Sequence, residues 1–191
     1  MKIKKVLIPT LMTLITTLFI SAVPTEAECK IYDDTIRIHI LANSDSEEDQ
    51  QLKLLLRDAI LEEYGNFLSV SKDKSEAEIL LNERLLEIED FANEKLIELG
   101  ALYTAKVTLS KEWYQTRDYS TFSLPAGYYT SLRILIGEAK GENFWCVMFP
   151  PLCLETSLGK MDAYSKEENS LITKKYTVKF KILELISELT K

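Results

Sequence analysis

The segment DTIRIHILA, residues 34–42, alternates isoleucine with the polar side chains of Arg37 and His39. Successive side chains of a β-strand point to opposite faces of its sheet, so this period of two predicts a half-buried strand. The three isoleucines define the core face of the strand. We expect His39 to lie on the less buried face and to hydrogen-bond with near neighbours. The chain therefore contains a sheet, which limits the fold classes open to it.

Two helices are predicted after this strand. Residues 44–47 have the spacing of a capping box, with Ser44 as the N-cap, and predict a helix over about residues 45–64. Its expected apolar stripe consists of Leu52, Leu55, Leu56, Ala59, Ile60 and Tyr64. Residues 75–78 repeat the capping-box pattern before a second helix over residues 79–99.

Strand patterns dominate after the second helix. They occur at residues 103–109, 128–136 and 143–149, while residues 111–122 read as a loop or an irregular strand. The tail, residues 173–189, mixes strand and helix signals. The order of strand, helix, helix, several strands and a C-terminal helix predicts a single α+β domain.

The N-terminus has the order of a secretory signal peptide. Three lysines within the first five residues precede an apolar run, Val6 to Ile20, and small residues follow it. The run is shorter than the roughly 20 apolar residues of a comfortable membrane span. We predict a signal peptide over residues 1–27, either cleaved or retained as an anchor, and an extracytoplasmic domain over residues 28–191.

Composition excludes several classes of function. The formal net charge of -7 argues against nucleic-acid binding, because a phosphate backbone requires a basic face. A single histidine and the lack of paired CxxC motifs leave too few ligands for a metal site. No sequence motif for a catalytic serine, a zinc protease or a phosphate-binding loop is present, so we expect no catalytic, cofactor or metal residues. The alternative is an extracytoplasmic enzyme of unrecognised type that uses His39 with a cysteine or a carboxylate.

Two cysteines, Cys146 and Cys153, flank Pro150 and Pro151 in the stretch NFWCVMFPPLC. Export would permit a disulfide between these cysteines, and the prolines would help the chain to turn back between them. Two buried free thiols are the alternative. If the disulfide forms, Cys29 is left free or is removed by processing.

Two long blocks of the sequence resemble one known family. The blocks IRIHILANSDSEEDQQLKLLLRDAI and LPAGYYTSLRILIGEAKGENFWCVMFPPLC are similar to the stage II sporulation protein R family of endospore-forming bacteria. The resemblance extends from about Ile36 to Cys153. Family members often carry a second tryptophan at the position of Phe144, which is a conservative aromatic difference.

The resemblance implies a specific function. Proteins of this family are made in the forespore and exported across its inner membrane into the space between the forespore and mother-cell membranes. There they trigger a membrane-embedded aspartic protease of the mother cell, which removes the pro-sequence of the sigma-E factor. The resemblance therefore implies a signalling protein with this protease as its partner. It implies no cofactor, no catalytic residues and no membrane contact except through a retained N-terminal segment.

Seven residues are candidates for contact with the partner. Aromatic side chains dominate interface energetics, and proline reduces the entropy lost on binding. The candidates are Asn43, Ser44, Asp45, Phe144, Trp145, Pro150 and Pro151. Each also has a purely structural explanation, which is helix capping for the first three residues and a core strand with a tight corner for the others.

Overall fold

The computed structural model describes residues 2–22, 26–65, 67–119 and 123–150. The helices of these residues are α1 (Lys2–Ala22), α2 (Glu26–Asp33), α3 (Glu47–Tyr64), α4 (Lys74–Glu83) and α5 (Leu85–Glu98), with a 3₁₀ helix at Phe67–Val70. The strands are β1 (Ile36–Leu41), β2 (Ala105–Tyr114), β3 (Arg117–Asp118), β4 (Ser123–Leu124), β5 (Gly127–Ile136) and β6 (Asn143–Phe149). This mixture of helices and one main sheet confirms the predicted α+β class. The predicted C-terminal helix lies outside the described residues.

Four of the strands form a mixed sheet in the order β2-β5-β1-β6. Strand β1 is parallel to β5 and antiparallel to β6, and Ile38 lies opposite Leu132 on one side and Cys146 on the other. The three isoleucines of β1 are completely buried. Strand β1 lies between β5 and β6 and is buried on both faces, so the prediction of a half-buried strand was wrong.

The chain divides into two compact units. Among the described residues, one unit contains residues 31–65, 67–113 and 128–150, and with them α3 to α5 and nearly all of the four-stranded sheet. The other contains residues 2–22, 26–30, 114–119 and 123–127, with α1 and the antiparallel pair β3–β4. The prediction of a single extracytoplasmic domain over residues 28–191 stays a prediction.

Helix α3 begins two residues later than predicted. Its N-cap is Ser46, whose hydroxyl accepts a hydrogen bond from the backbone nitrogen of Asp49. The proposed N-cap, Ser44, is wrong because its hydroxyl instead donates to the Asp49 carboxylate. The hydroxyl-and-carboxylate spacing occurs twice in this stretch, and the second copy forms the cap.

The buried stripe of α3 changes character along the helix. Its members, at spacings of three or four residues, are Asp49, Lys53, Leu56, Ile60 and Tyr64, joined by Leu61. The predicted stripe was correct for Leu56, Ile60 and Tyr64 and wrong for Leu55, which is exposed. Apolar periodicity could not indicate the first turns, because the buried side chains there are polar.

The second predicted helix is two helices. Helix α4 is capped by Asp73, not by the predicted Ser75, since the Asp73 carboxylate accepts from the backbone nitrogen of Glu76. Arg84 interrupts the predicted helix, because it lies between the end of α4 and the start of α5. Gly100 follows α5 with φ of 83°, and its hydrogen bond and that of the next residue close a Schellman motif.

The strand bounds are close to those predicted, with one extension. Strand β2 continues to Tyr114, so part of the predicted loop over residues 111–122 is strand. Strands β5 and β6 occupy the predicted positions, and β6 has the predicted bounds. The short connection between them begins at Gly137, whose φ is 56° and whose added Cβ would lie 2.2 Å from Oδ1 of Asn43. This close approach requires glycine at the turn.

Helix α1 contains the apolar run that suggested a signal peptide. Pro9 lies within the helix, and large apolar side chains from Val6 to Ile15 are exposed. Among the described helices, none is both long enough and apolar enough to qualify as a membrane span. The signal peptide and its cleavage stay predictions.

Candidate functional site

His39 lies at the centre of a polar cluster on β1. Its side chain faces away from the isoleucines, on the face that the alternating pattern predicts, yet only 4% of the residue is exposed. Nδ1 lies 3.1 Å from Oε2 of Glu112, and Nε2 lies 2.8 Å from Oδ1 of Asn143. Both partner atoms are oxygens that accept hydrogen bonds from ring N–H groups. His39 therefore links β2 to β6 across the sheet.

Glu112 connects three of the four strands. Besides facing His39, its Oε1 lies 2.7 Å from Nε of Arg133 on β5, and Ser131 on the same strand hydrogen-bonds to it. Burial raises the pKa of Glu112, but the hydrogen bonds from His39 and Ser131 and the charges of His39 and Arg133 outweigh this, so the pKa is lowered. The carboxylate is held in its charged form.

Trp145 packs on the same cluster from β6. It is the register partner of His39, and the two rings stack with centroids 3.6 Å apart and an interplanar angle of 15°. The tryptophan is half-buried. Trp145, one of the predicted partner-binding residues, thus stacks directly on His39.

A buried arginine lies beside His39 on the same face of β1. Arg37 is completely buried, donates from Nε to the backbone oxygen of Cys146 at 3.3 Å, and lies 5.1 Å from the ring centroid of Tyr129. The cation and the ring are close enough for a cation–π interaction. Arg37 and His39 are thus nearly as deeply buried as the isoleucines on the other face of β1.

Phe144 and Cys146 point to the opposite face of β6. Phe144 is the register partner of Ile40, and the guanidinium of Arg57 on α3 lies 4.8 Å from its ring centroid. Phe144 therefore covers the core under a helix, which favours its structural explanation. Cys146 is buried and disulfide-bonded. Its proposed partner, Cys153, lies outside the described residues, so this pairing stays a prediction.

The turn after β1 is organised around one carboxylate. Asp49 accepts from the side-chain nitrogen of Asn43 at 2.8 Å, from the hydroxyl of Ser44 at 2.5 Å and from the hydroxyl of Tyr103. Hydrogen bonds from Ser44 and Tyr103 lower the pKa of Asp49 more than burial raises it. Burial and Asp49 raise the pKa of Tyr103 to about 12.

Two of the three predicted contact residues in this turn have internal roles. The amide of Asn43 also accepts from the backbone nitrogen of Glu138 at 2.9 Å, which ties the turn to the connection between β5 and β6. Ser44 accepts from Gln50 through its backbone oxygen. Asp45, in contrast, is exposed. Of the three residues, Asp45 is the most exposed.

Lys53 closes the same end of the sheet. Its ammonium donates to the backbone oxygen of Glu142 at 2.9 Å and to the side chain of Gln50. Burial lowers the pKa of Lys53, and the charges of Glu142 and Asp45 oppose this effect. A buried lysine and a buried aspartate thus share the first turns of α3, and each is matched by hydrogen bonds.

The prolines of the predicted turn are only partly within the structure. Pro150 is buried and follows β6 directly, as expected of a residue that cannot donate to a sheet ladder. The bond between Phe149 and Pro150 is cis. Pro151 lies outside the described residues, and contact of either proline with a partner stays a prediction.

Sequence reasoning missed the residues that hold the site together. Glu112, Asp49 and Tyr103 were not singled out, because a charged or hydroxyl side chain in an amphipathic element normally faces solvent. The only sequence signal for these buried partners was the presence of two polar side chains, Arg37 and His39, in the strand pattern of β1. A strand with Arg37 and His39 between buried isoleucines, in a central position, must satisfy both polar side chains inside the protein.

The described residues hold no group of three or more histidine, cysteine, aspartate or glutamate side chains that could bind a metal. The histidine does have a carboxylate partner, Glu112, as the enzyme alternative requires. However, the second ring nitrogen faces Asn143. This arrangement orients the ring and does not present Nε2 to a nucleophile.

These features define an α+β domain built around a buried polar cluster, with a tryptophan on one strand of its sheet. A family model described as stage II sporulation protein R matches residues 32–158, and the stage II sporulation protein R of Bacillus subtilis (strain 168) is 39% identical over 150 residues. That match covers 78% of this chain and 66% of the length of the relative. No solved structure matches the chain. The chain belongs to the stage II sporulation protein R family, and its role lies in sporulation.

Proposed function

We propose that this protein is an exported signal of sporulation that activates a membrane-embedded aspartic protease of the mother cell, which then processes the sigma-E precursor. The observation that carries the proposal is the family match over residues 32–158, which contains the β1–α3 turn and strand β6. The protein acts from the space between the two membranes of the developing spore, and its partner there is the protease.

The N-terminal segment supports export. Three lysines precede the apolar stretch of α1, and that stretch exposes its large side chains where the structure describes them. An exposed apolar helix after basic residues suits recognition by the secretion machinery. Export places the rest of the chain where it can reach a protease in the opposite membrane, whether or not the segment is cleaved.

Strand β6 supports contact with a partner. Trp145 is half-buried and lies on the polar face of the sheet, whereas Phe144 belongs to the core beneath α3. A large aromatic ring held by a rigid neighbour suits an interface anchor. Trp145 is therefore the residue of β6 that contacts the protease, and Asp45 is the residue of the β1–α3 turn that does so.

Reconstitution tests the signalling function. The full chain is supplied outside cells that hold the protease and the sigma-E precursor, both taken from the organism that carries this protein. Precursor cleavage is followed by immunoblot. We expect cleavage only when the protein is added, and a Trp145→Ala variant to lose at least roughly tenfold of the activity, as a truncated interface hot spot does. Tyr128→Ala is the matched control, because Tyr128 is an exposed aromatic residue on β5.

The same cells separate a signal from an enzyme. If the protein were itself the protease, cleavage would continue in cells whose protease carries a substitution of its catalytic aspartate. We expect no cleavage in those cells. Cleavage that persists there and disappears with His39→Gln would establish the enzyme that pairs His39 with Glu112.

A further inference from the structure

We propose that His39 is a positioning residue for Trp145: the imidazole ring, held by Asn143 and Glu112, fixes the orientation of the indole that meets the partner. This inference rests on the proposed function, because it assigns the means by which strand β6 presents its anchor. It gives the buried histidine a role in signalling that requires no chemistry at the ring.

The imidazole ring of His39 and the indole ring of Trp145 stack on each other. Their centroids are 3.6 Å apart and their planes differ by 15°, so the imidazole supports the indole over its face. They are register partners on neighbouring antiparallel strands, where opposed side chains lie on the same face of the sheet. A flat support of this kind removes freedom about the side-chain torsions of Trp145.

The imidazole ring of His39 is held at both of its nitrogens. A ring held through one nitrogen can still swing about that hydrogen bond. Here Nε2 lies 2.8 Å from Oδ1 of Asn143 on β6, and Nδ1 lies 3.1 Å from Oε2 of Glu112 on β2. Hydrogen bonds at opposite edges of the ring, from two different strands, fix its plane.

The anchoring of Glu112 completes the chain of contacts. Its other oxygen lies 2.7 Å from Nε of Arg133, and Ser131 hydrogen-bonds to the same carboxylate. Both residues lie on β5, between the strands of Glu112 and His39. The indole therefore takes its orientation from all four strands of the sheet, and a partner binds it without the entropic cost of ordering a mobile side chain.

The first test measures the orientation of Trp145 directly. The chain has two tryptophans, so Trp113→Phe leaves Trp145 as the sole indole fluorophore in the full-length protein. In that background we expect His39→Ala and Asn143→Ala to shift the emission to longer wavelength and to increase quenching by acrylamide. His39→Phe, which keeps a flat ring under the indole, should restore part of the change. Glu142→Ala, next to Asn143 and exposed, is the matched control and should leave the emission unchanged.

The second test measures signalling in the reconstituted cells. We expect His39→Ala to lower precursor cleavage roughly tenfold, equivalent to about 1.4 kcal/mol, and Asn143→Ala to lower it by a smaller factor. His39→Phe should lie between His39→Ala and wild type. Thermal unfolding of each variant is measured in parallel. Since Asn143 is exposed, Asn143→Ala keeps the inference testable even if His39→Ala does not fold.

The results that would overturn the inference differ from the result that would overturn the proposed function. Wild-type emission in Asn143→Ala, or shifted emission in Asn143→Ala with wild-type cleavage, overturns the inference. Cleavage that follows thermal stability alone, so that Asn143→Ala and Glu142→Ala are equally active, also overturns it. Wild-type protein that fails to stimulate cleavage overturns the proposed function and the signalling part of the inference, whereas the emission measurements still decide whether His39 positions Trp145.

Discussion

The two faces of strand β1 are both buried but are held by different forces. On one face, the isoleucines of β1 pack with apolar side chains of β5 and β6 beneath α3 and α4. On the other face, Arg37 and His39 of the same strand are 0% and 4% exposed, and they contact a backbone oxygen, a carboxylate and aromatic rings. One strand thus contributes an apolar layer and a polar layer.

The apolar face of β1 mainly stabilises the fold, whereas the polar face mainly fixes the orientation of side chains. Apolar burial is non-directional, so the isoleucine face tolerates changes that conserve volume. The polar face depends on atoms in fixed positions, since a buried charge without its partner destabilises the fold. A face of this second kind sets the orientation of its side chains, and Trp145 is one of them. We therefore expect substitutions on the apolar face to affect stability most, and those on the polar face to affect the presentation of Trp145.

The largest expected loss of stability is on the apolar face. Ile38 is completely buried, and Ile38→Ala should lower the free energy of unfolding by about 3 kcal/mol, because a cavity remains where the side chain was. Denaturant unfolding of the full chain measures this. Leu102→Ala is the control, since Leu102 is fully exposed, and should change stability by less than about 0.5 kcal/mol. Equal stabilities of the two variants would contradict the assignment of this face as the core.

The apolar face was predictable from the sequence, and the polar face was not. Alternating isoleucines identify a strand and its core side, and the bounds of β6 were found by the same reasoning. The pairing of His39 with Glu112 joins residues 73 positions apart, and no local pattern encodes it. The helices show the same limit. The buried residues Ala77, Leu81, Ile88, Ala92 and Leu96 keep one helical phase across the break at Arg84, so periodicity alone reads two helices as one.

An intermediate effect is expected from the carboxylate of the polar face. Glu112→Gln keeps the shape of the side chain and removes its charge, so it should lower the free energy of unfolding by about 1–2 kcal/mol at pH 7. The folded protein lowers the pKa of Glu112, so this stabilisation is present above the pKa of the unfolded chain, about 4.3, and is lost as the pH falls through the lower folded value.

Unfolding of wild type and Glu112→Gln across this pH range measures the effect. The stability difference should be constant near neutral pH and should close below about pH 4, because the unfolded carboxyl titrates near 4.3. Glu142→Gln makes the same charge change at an exposed side chain and should stay close to wild type. A difference that widened on acidification would mean that the carboxylate is not stabilised by His39 and Arg133.

The smallest effect is expected at the outer end of the polar cluster. The side chain of Arg133 is 32% exposed, so its ion pair with Glu112 is partly screened by water, and Arg133→Gln should cost about 0.5 kcal/mol. Added salt should reduce that loss further, because screening weakens exposed pairs more than buried ones. The double variant Arg133→Gln with Glu112→Gln should lose less than the sum of the single variants, since both remove the same contact. A loss at Arg133 larger than the loss at Glu112 would place the energetic centre of the cluster at the arginine, and the contact between Glu112 and His39 would then be secondary.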